Sequence, residues 1–203
     1  MKDLIKAATI LDKIFYALSI AVTVSAVALV IGLGILAAGF LFDLPPHMIG
    51  TGYATATLDF VTFTVADAYI PDHRIIWCQV AMELFLTLVC LVPAHFSIKA
   101  IRSIFSPMKN GEPFHNTVSL NLKKLARYTC SLGIGLNLLK IISQILLIKA
   151  FDLNLLLLSE RIPKVQFKFV FDLSFLFVAG ILLLLSYIFQ YGEQLQQLSD
   201  ETI

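Results

Sequence analysis

Charge is scarce in this chain. Asp, Glu, Lys and Arg make up 14% of its 203 residues, and the mean hydropathy is +0.85. Ordinary soluble domains carry about 25% charged residues. A chain of this size with so few charges cannot cover itself with polar groups, so part of its surface faces lipid. The net charge of +1 sets up no global field for direct binding to nucleic acid or an acidic substrate. Cysteine is scarce too. Cys78, Cys90 and Cys130 are odd in number and form no CxxC pair. That argues against a disulfide framework or a thiol-exchange site and suits small buried hydrophobes. Of the four histidines, His47, His73, His95 and His115, only His95 lies in an apolar run. A transmembrane haem needs histidines facing one another from different helices. No HExxH or paired-Cys pattern supports zinc, and no Walker A, GxSxG or GxGxxG sequence is found. No cofactor, metal or catalytic residue is expected, and the expectation is a protein that is not an enzyme.

Long apolar runs are what the chain does have. They fall at Ile14–Phe42, Ile75–Ile98, Tyr128–Ile148 and Leu173–Tyr191. Each is read as a membrane-spanning helix. The first has 29 residues without a charge, too long for the ~7–15-residue apolar region of a signal peptide. It is therefore read as a retained span. At ~1.5 Å per residue it exceeds the ~30 Å hydrocarbon core and must tilt or protrude. Gly32, Gly34 and Gly39 lie toward its second half, where small residues can admit a neighbouring helix or be ordinary membrane-helix glycines.

Lys and Arg set the orientation. Lys2, Lys6, Lys13, Lys99, Arg102, Lys109, Lys123, Lys124 and Arg127 share one side of the membrane; Arg74, Lys149, Arg161, Lys164 and Lys168 share the other. The richer side is cytoplasmic. This makes 43–74 and 149–172 extracytoplasmic, 99–127 a cytoplasmic connection and 192–203 a cytoplasmic tail. The connection carries six basic residues against one acid, Glu112. Its simplest role is the topological signal, and it is also suited to anionic lipid.

The outer segments carry strand patterns. Thr55–Val65 is rich in Thr, Val and Phe. Lys164–Phe171 alternates polar and apolar residues. Phe151–Leu158 precedes it, with a candidate hairpin loop between them. The expected fold is an integral membrane, mainly α protein: one domain, 1–203, forming a four-helix transmembrane bundle with a small extracytoplasmic β-sheet cap. On the inner side, Ile98, Ile101, Ile104 and Phe105 recur at helical spacing, so the second helix is expected to pass the membrane surface. Ser106-Pro107 and Gly111 are expected to break it, and Asn116 to cap the next helix, with Val118, Leu122 and Leu125 on one face.

Ionisable residues inside a membrane are costly and call for a partner. Glu83 lies eight residues from the outer end of span two, and Lys140 eight from the outer end of span three. Gln79, Glu83 and Thr87 share one helix face; Asn137, Lys140 and Gln144 share another. A Glu83–Lys140 pair is expected between antiparallel neighbours. It either fixes helix register or forms a polar pocket for an ion, proton or small ligand.

Two stretches carry a resemblance. One is Ile101-Arg102-Ser103-Ile104-Phe105, then the turn Gly111-Glu112-Pro113-Phe114, Asn116 and Leu125. The other is Ile188-Phe189, Tyr191-Gly192, Leu195-Gln196 and Asp200-Glu201-Thr202-Ile203. Together they resemble the domain of unknown function 2975 family, small bacterial membrane proteins. The resemblance implies four spans in a bacterial cytoplasmic membrane. It also implies proximity to a small helix-turn-helix regulator, hence a lipid-embedded, non-enzymatic component with a cytoplasmic DNA-binding protein as partner. The family offers no catalytic residues to carry over. The Gly111–Phe114 stretch reads either as a tight turn locking two helices or as a docking element.

Overall fold

The computed structural model describes residues 2–42, 53–58, 61–66, 73–110, 114–150 and 170–200. Four long helices dominate: α1 Lys2–Leu41, α2 His73–Lys109, α3 Asn116–Ala150 and α4 Ser174–Asp200. Each contains one of the expected apolar runs almost entirely, and each is long and apolar enough to cross a membrane. The 40 residues of α1 extend ~60 Å at ~1.5 Å per residue, twice the ~30 Å hydrocarbon core. Even a tilt of about 40° leaves part of such a helix outside the hydrocarbon. Large apolar side chains along α1 stand exposed, with Val24 at 62% and Ile35 at 65%. Exposed apolar surface on that scale is stable against lipid rather than water.

The chain packs as two units. Unit one comprises Met1–Val27, Val89–Leu136 and Asp172–Ile203; unit two comprises Ala28–Leu88 and Asn137–Phe171.

Unit one has an apolar core. Ala100 and Ile104 of α2 meet Val118, Leu122 and Leu125 of α3, with Leu182 and Phe189 of α4 packed against them. The spacings are i, i+4 and i, i+4, i+7, so each helix turns one stripe inward. The α2 and α3 members lie between the long apolar runs, in the stretch with six basic residues. Where that stretch is bathed in water, burying each large apolar side chain stabilises by ~1.5–3 kcal/mol. Within lipid, helices instead hold together by close packing and hydrogen bonds. Ser186 of α4 provides one such bond: its fully buried hydroxyl donates to the Ser119 carbonyl oxygen at 2.8 Å. Gly133 of α3 provides a close approach, with Phe175 of α4 occupying the space where a Cβ would stand.

Two local expectations are corrected here. Ser106-Pro107 does not break α2, which runs on to Lys109. Proline's fixed φ is compatible with a helix, and its cost falls on the turn before it, where one carbonyl loses its donor; α2 continues past Pro93 in the same way. The Asn110 N–H closes the helix onto the Pro107 carbonyl at 3.0 Å. The α3 cap is also one residue earlier than expected. His115 Nδ1 accepts from the Thr117 N–H at 3.2 Å, and the His115 carbonyl accepts from the Val118 N–H at 2.9 Å. Asn116 is the first helical residue instead. In addition, α4 continues to Asp200, so the segment expected as a tail after Tyr191 is largely helical.

In unit two, two of the three α1 glycines lie against α2. A Cβ on Gly39 would stand 3.4 Å from the Trp77 ring, and one on Gly32 would stand 3.6 Å from Leu84, whereas Gly34 faces open space. Two short strands, β1 Tyr53–Leu58 and β2 Val61–Ala66, pair antiparallel, with Tyr53 opposite Ala66 and Leu58 opposite Val61. The expected strand Lys164–Phe171 lies outside the described residues except for Val170 and Phe171, and Phe151–Leu158 lies outside them entirely.

Candidate functional site

The polar seam belongs to unit two. Glu83 stands on α2 one turn after Gln79, and Gln79 Nε2 reaches its carboxylate at 3.5 Å. The closer partner comes from α3: Ser143 Oγ donates to Glu83 Oε1 at 2.9 Å. Ser143 lies between Lys140 and Gln144 in sequence, three residues after the expected cation. Thr87, expected to extend the stripe, turns its hydroxyl back to the Glu83 carbonyl oxygen at 2.7 Å. Serine and threonine commonly make this bond in helices. Asn137 is buried and Gln144 half-buried; Asn137 and Lys140 both make interactions of their own. The seam therefore presents a carboxylate held by a hydroxyl and an amide, on two adjacent helices. Such a group can accept a proton or hold a cation.

A second constellation lies in unit one. Phe114, last residue of the turn motif, packs its ring on Phe189 of α4 with centroids 5.7 Å apart. It also covers Gly192, where an added Cβ would lie 2.6 Å from the Phe114 ring. The turn's last residue and the C-terminal stretch thus touch through Phe114, Phe189 and Gly192. Gly111, Glu112 and Pro113 lie outside the described residues. Tyr191, Leu195 and Gln196 of the second stretch are exposed on α4. Lys123 ties α3 to the same helix, donating to Gln190 Oε1 at 3.2 Å and standing 5.1 Å from the centre of the Tyr187 ring.

On the other flank, α1 meets α2 through Asp12, Phe15 and Tyr16. Asp12 accepts from Arg102 Nε at 3.2 Å and from Lys109 Nζ. Phe15 stacks on Phe105 at 5.9 Å, and the Arg102 guanidinium lies 4.9 Å from the Tyr16 ring centre. Asp12 goes unnoticed in the charge balance of this side, which sets the Lys and Arg residues against Glu112 alone. The signal was available: Asp12, Phe15 and Tyr16 at i, i+3, i+4 match Arg102, Phe105 and Lys109 at i, i+3, i+7.

Among the described residues, no three His, Cys, Asp or Glu side chains gather as a metal site. No protein family, curated protein or solved structure matches the chain.

Proposed function

We propose that this is a non-enzymatic regulatory or interaction component of the bacterial cytoplasmic membrane, with its N- and C-terminal segments in the cytoplasm. In this reading the Lys99–Arg127 connection and the end of α4 form one cytoplasmic face that holds a small helix-turn-helix regulator. The β1–β2 hairpin falls in the extracytoplasmic segment 43–74 and belongs to a small cap. The observation that carries the proposal is the contact of Phe114 with Phe189 and Gly192. It joins Phe114 to the C-terminal stretch, with Tyr191 and Leu195 exposed beside it. Exposed apolar side chains next to a packed aromatic anchor suit a partner helix.

Crosslinking of the tagged full chain in its native cells should recover a small DNA-binding protein. Substituting Tyr191 and Leu195 together by Ser should abolish that recovery while leaving the amount of membrane-inserted protein unchanged. Failure to recover any DNA-binding partner from the unaltered chain would sink the regulatory reading.

The Gln79–Glu83–Ser143 network favours a second reading, a carrier for an ion or small ligand centred on Glu83 and Lys140. Glu83→Gln separates the two. An amide oxygen can still accept from Ser143 and Gln79, so the substitution removes the charge and keeps the bonds. A carrier in vesicles with a trapped pH dye should conduct protons or sodium, and Glu83→Gln should stop it. Flux no greater than in empty vesicles removes the carrier reading.

A further inference from the structure

The cations of unit one are not equivalent. Arg102 and Lys109 share Asp12, and Lys123 is occupied by Gln190 and Tyr187. Lys99 and Lys124 have no ion-pair partner among the described residues, and both line one cleft between α2 and α3.

The cleft has two lobes. One, of about 240 Å³, is walled by Lys99 and Ser103 of α2 and by Asn121, Lys124 and Tyr128 of α3. The other, of about 420 Å³, shares Ser103 and Asn121 and extends past Ser106 toward His115. Along α2, Lys99, Ser103 and Ser106 repeat at i, i+4, i+7; along α3, Asn121, Lys124 and Tyr128 repeat at i, i+3, i+7. Two antiparallel polar stripes therefore face each other across a gap. Among the described residues, no Asp or Glu lines either lobe. Ser103 donates to the Lys99 carbonyl at 3.0 Å, whereas the Asn121 amide and the Ser106 hydroxyl make no side-chain hydrogen bond among the described residues. Among the described residues, the cleft thus offers two ammonium groups without an ion-pair partner, with neutral donors between them. Paired cations with hydrogen-bond donors fit a phosphate group, which carries both charge and several acceptor oxygens.

The cleft also has an apolar end. Phe96 lines it beside Tyr128, their rings stacked at 5.7 Å. Phe96 lies within the second apolar run and Tyr128 opens the third. Aromatic side chains at such boundaries sit at the level of lipid headgroups. We infer that this α2–α3 cleft binds a phosphate-bearing anion, with the headgroup of an anionic phospholipid as its source. Lys99 and Lys124 neutralise the phosphate, Asn121 and Ser106 donate to its oxygens, and the acyl chains leave past Phe96 and Tyr128. The inference does not depend on the regulatory reading.

The test uses the full chain in detergent, titrated with short-chain phosphatidylglycerol and, separately, phosphatidylcholine. Binding is read by native mass spectrometry. The anionic lipid should bind at least ~10-fold more tightly. A generic basic surface gives up ~5-fold for each Lys wherever it lies, so two losses anywhere cost about 30-fold. A cleft predicts otherwise. Lys99→Gln with Lys124→Gln should lose at least ~30-fold, while Lys13→Gln with Arg127→Gln, which removes equal charge elsewhere, should lose under ~3-fold. Asn121→Leu removes no charge and should still lose roughly 10-fold or more, the worth of a hydrogen bond to a charged group. It also keeps the test decisive if the double variant does not fold. Equal losses for the two double variants, with Asn121→Leu unchanged, overturn the cleft. Millimolar glycerol phosphate distinguishes the sources. No displacement of bound lipid supports a headgroup held with its chains; full displacement keeps the phosphate chemistry but overturns the lipid assignment.

Discussion

Gly133→Ala is expected to destabilise the protein, although alanine is the better helix former. In an open helix position the exchange gains up to about 1 kcal/mol. Here the added methyl group would overlap the Phe175 side chain, including its own Cβ at 2.5 Å. A ring can rotate away, but a Cβ moves only with its backbone. The start of α4 would therefore have to shift bodily, and overpacking of this kind costs ~1–3 kcal/mol. A net loss of about 1–2 kcal/mol corresponds to a fall of about 2–8 °C in melting temperature for a chain this long. Gly180 is the internal control: on α4, an added Cβ would meet nothing within 4 Å. Gly180→Ala should leave the melting temperature unchanged or raise it. Both are read by thermal melts of the detergent-solubilised protein.

Gly192→Leu should have a comparable effect by a different route. The obstacle there is the far edge of the Phe114 ring, with Cδ1 2.6 Å and Cε1 2.7 Å from an added Cβ. The leucine must push the ring off Phe189 or push α4 away. The expected cost is ~1–3 kcal/mol. Because the clash is with a removable side chain, Phe114→Ala should relieve it. A double-mutant cycle should return a coupling of about 1 kcal/mol or more, whereas independent sites add within ~0.5 kcal/mol. Additive losses would mean that Phe114 does not hold this position in solution. Under the regulatory proposal, Gly192→Leu should also lose the crosslinked partner, since it pulls apart the two halves of the docking face.

Much of the helical architecture was legible because lipid imposes a simple demand. A span needs ~20 apolar residues with its backbone bonds satisfied internally, and four such runs stand out. The α2–α3 core was legible for a related reason, since Val118, Leu122 and Leu125 repeat at helical spacing. What was not legible depends on geometry between segments. Pro107 reads as a breaker, yet α2 passes through both it and Pro93, because a proline's fixed φ suits a helix and its cost falls on the preceding turn, where packing decides whether the lost bond is tolerated. The α3 cap reads as Asn116 because histidine is not a usual capping residue, yet the His115 ring reaches the Thr117 N–H. Ser143, which donates to Glu83 from α3, is neutral and so escapes a search for charged partners. Asp12 disappears in a tally that weighs basic residues for topology. Gly133 gives no sign in sequence that distinguishes it from Gly180 until Phe175 is placed beside it.

The arrangement of contacts around α4 bears on the order in which unit one is made. The α2 and α3 halves of the core are joined by only the six residues 110–115, so they can pair as soon as both have been synthesised. The remaining contacts on α4, from Phe175 on Gly133 through Ser186 on Ser119 to Gly192 under Phe114, come from a helix made later. Until it arrives, the Ser119 carbonyl lacks the serine hydroxyl and Phe114 lacks its aromatic neighbour. A nascent chain paused before Ser174 would therefore display a helical hairpin with one apolar side uncovered, the kind of surface that membrane proteases and insertases recognise.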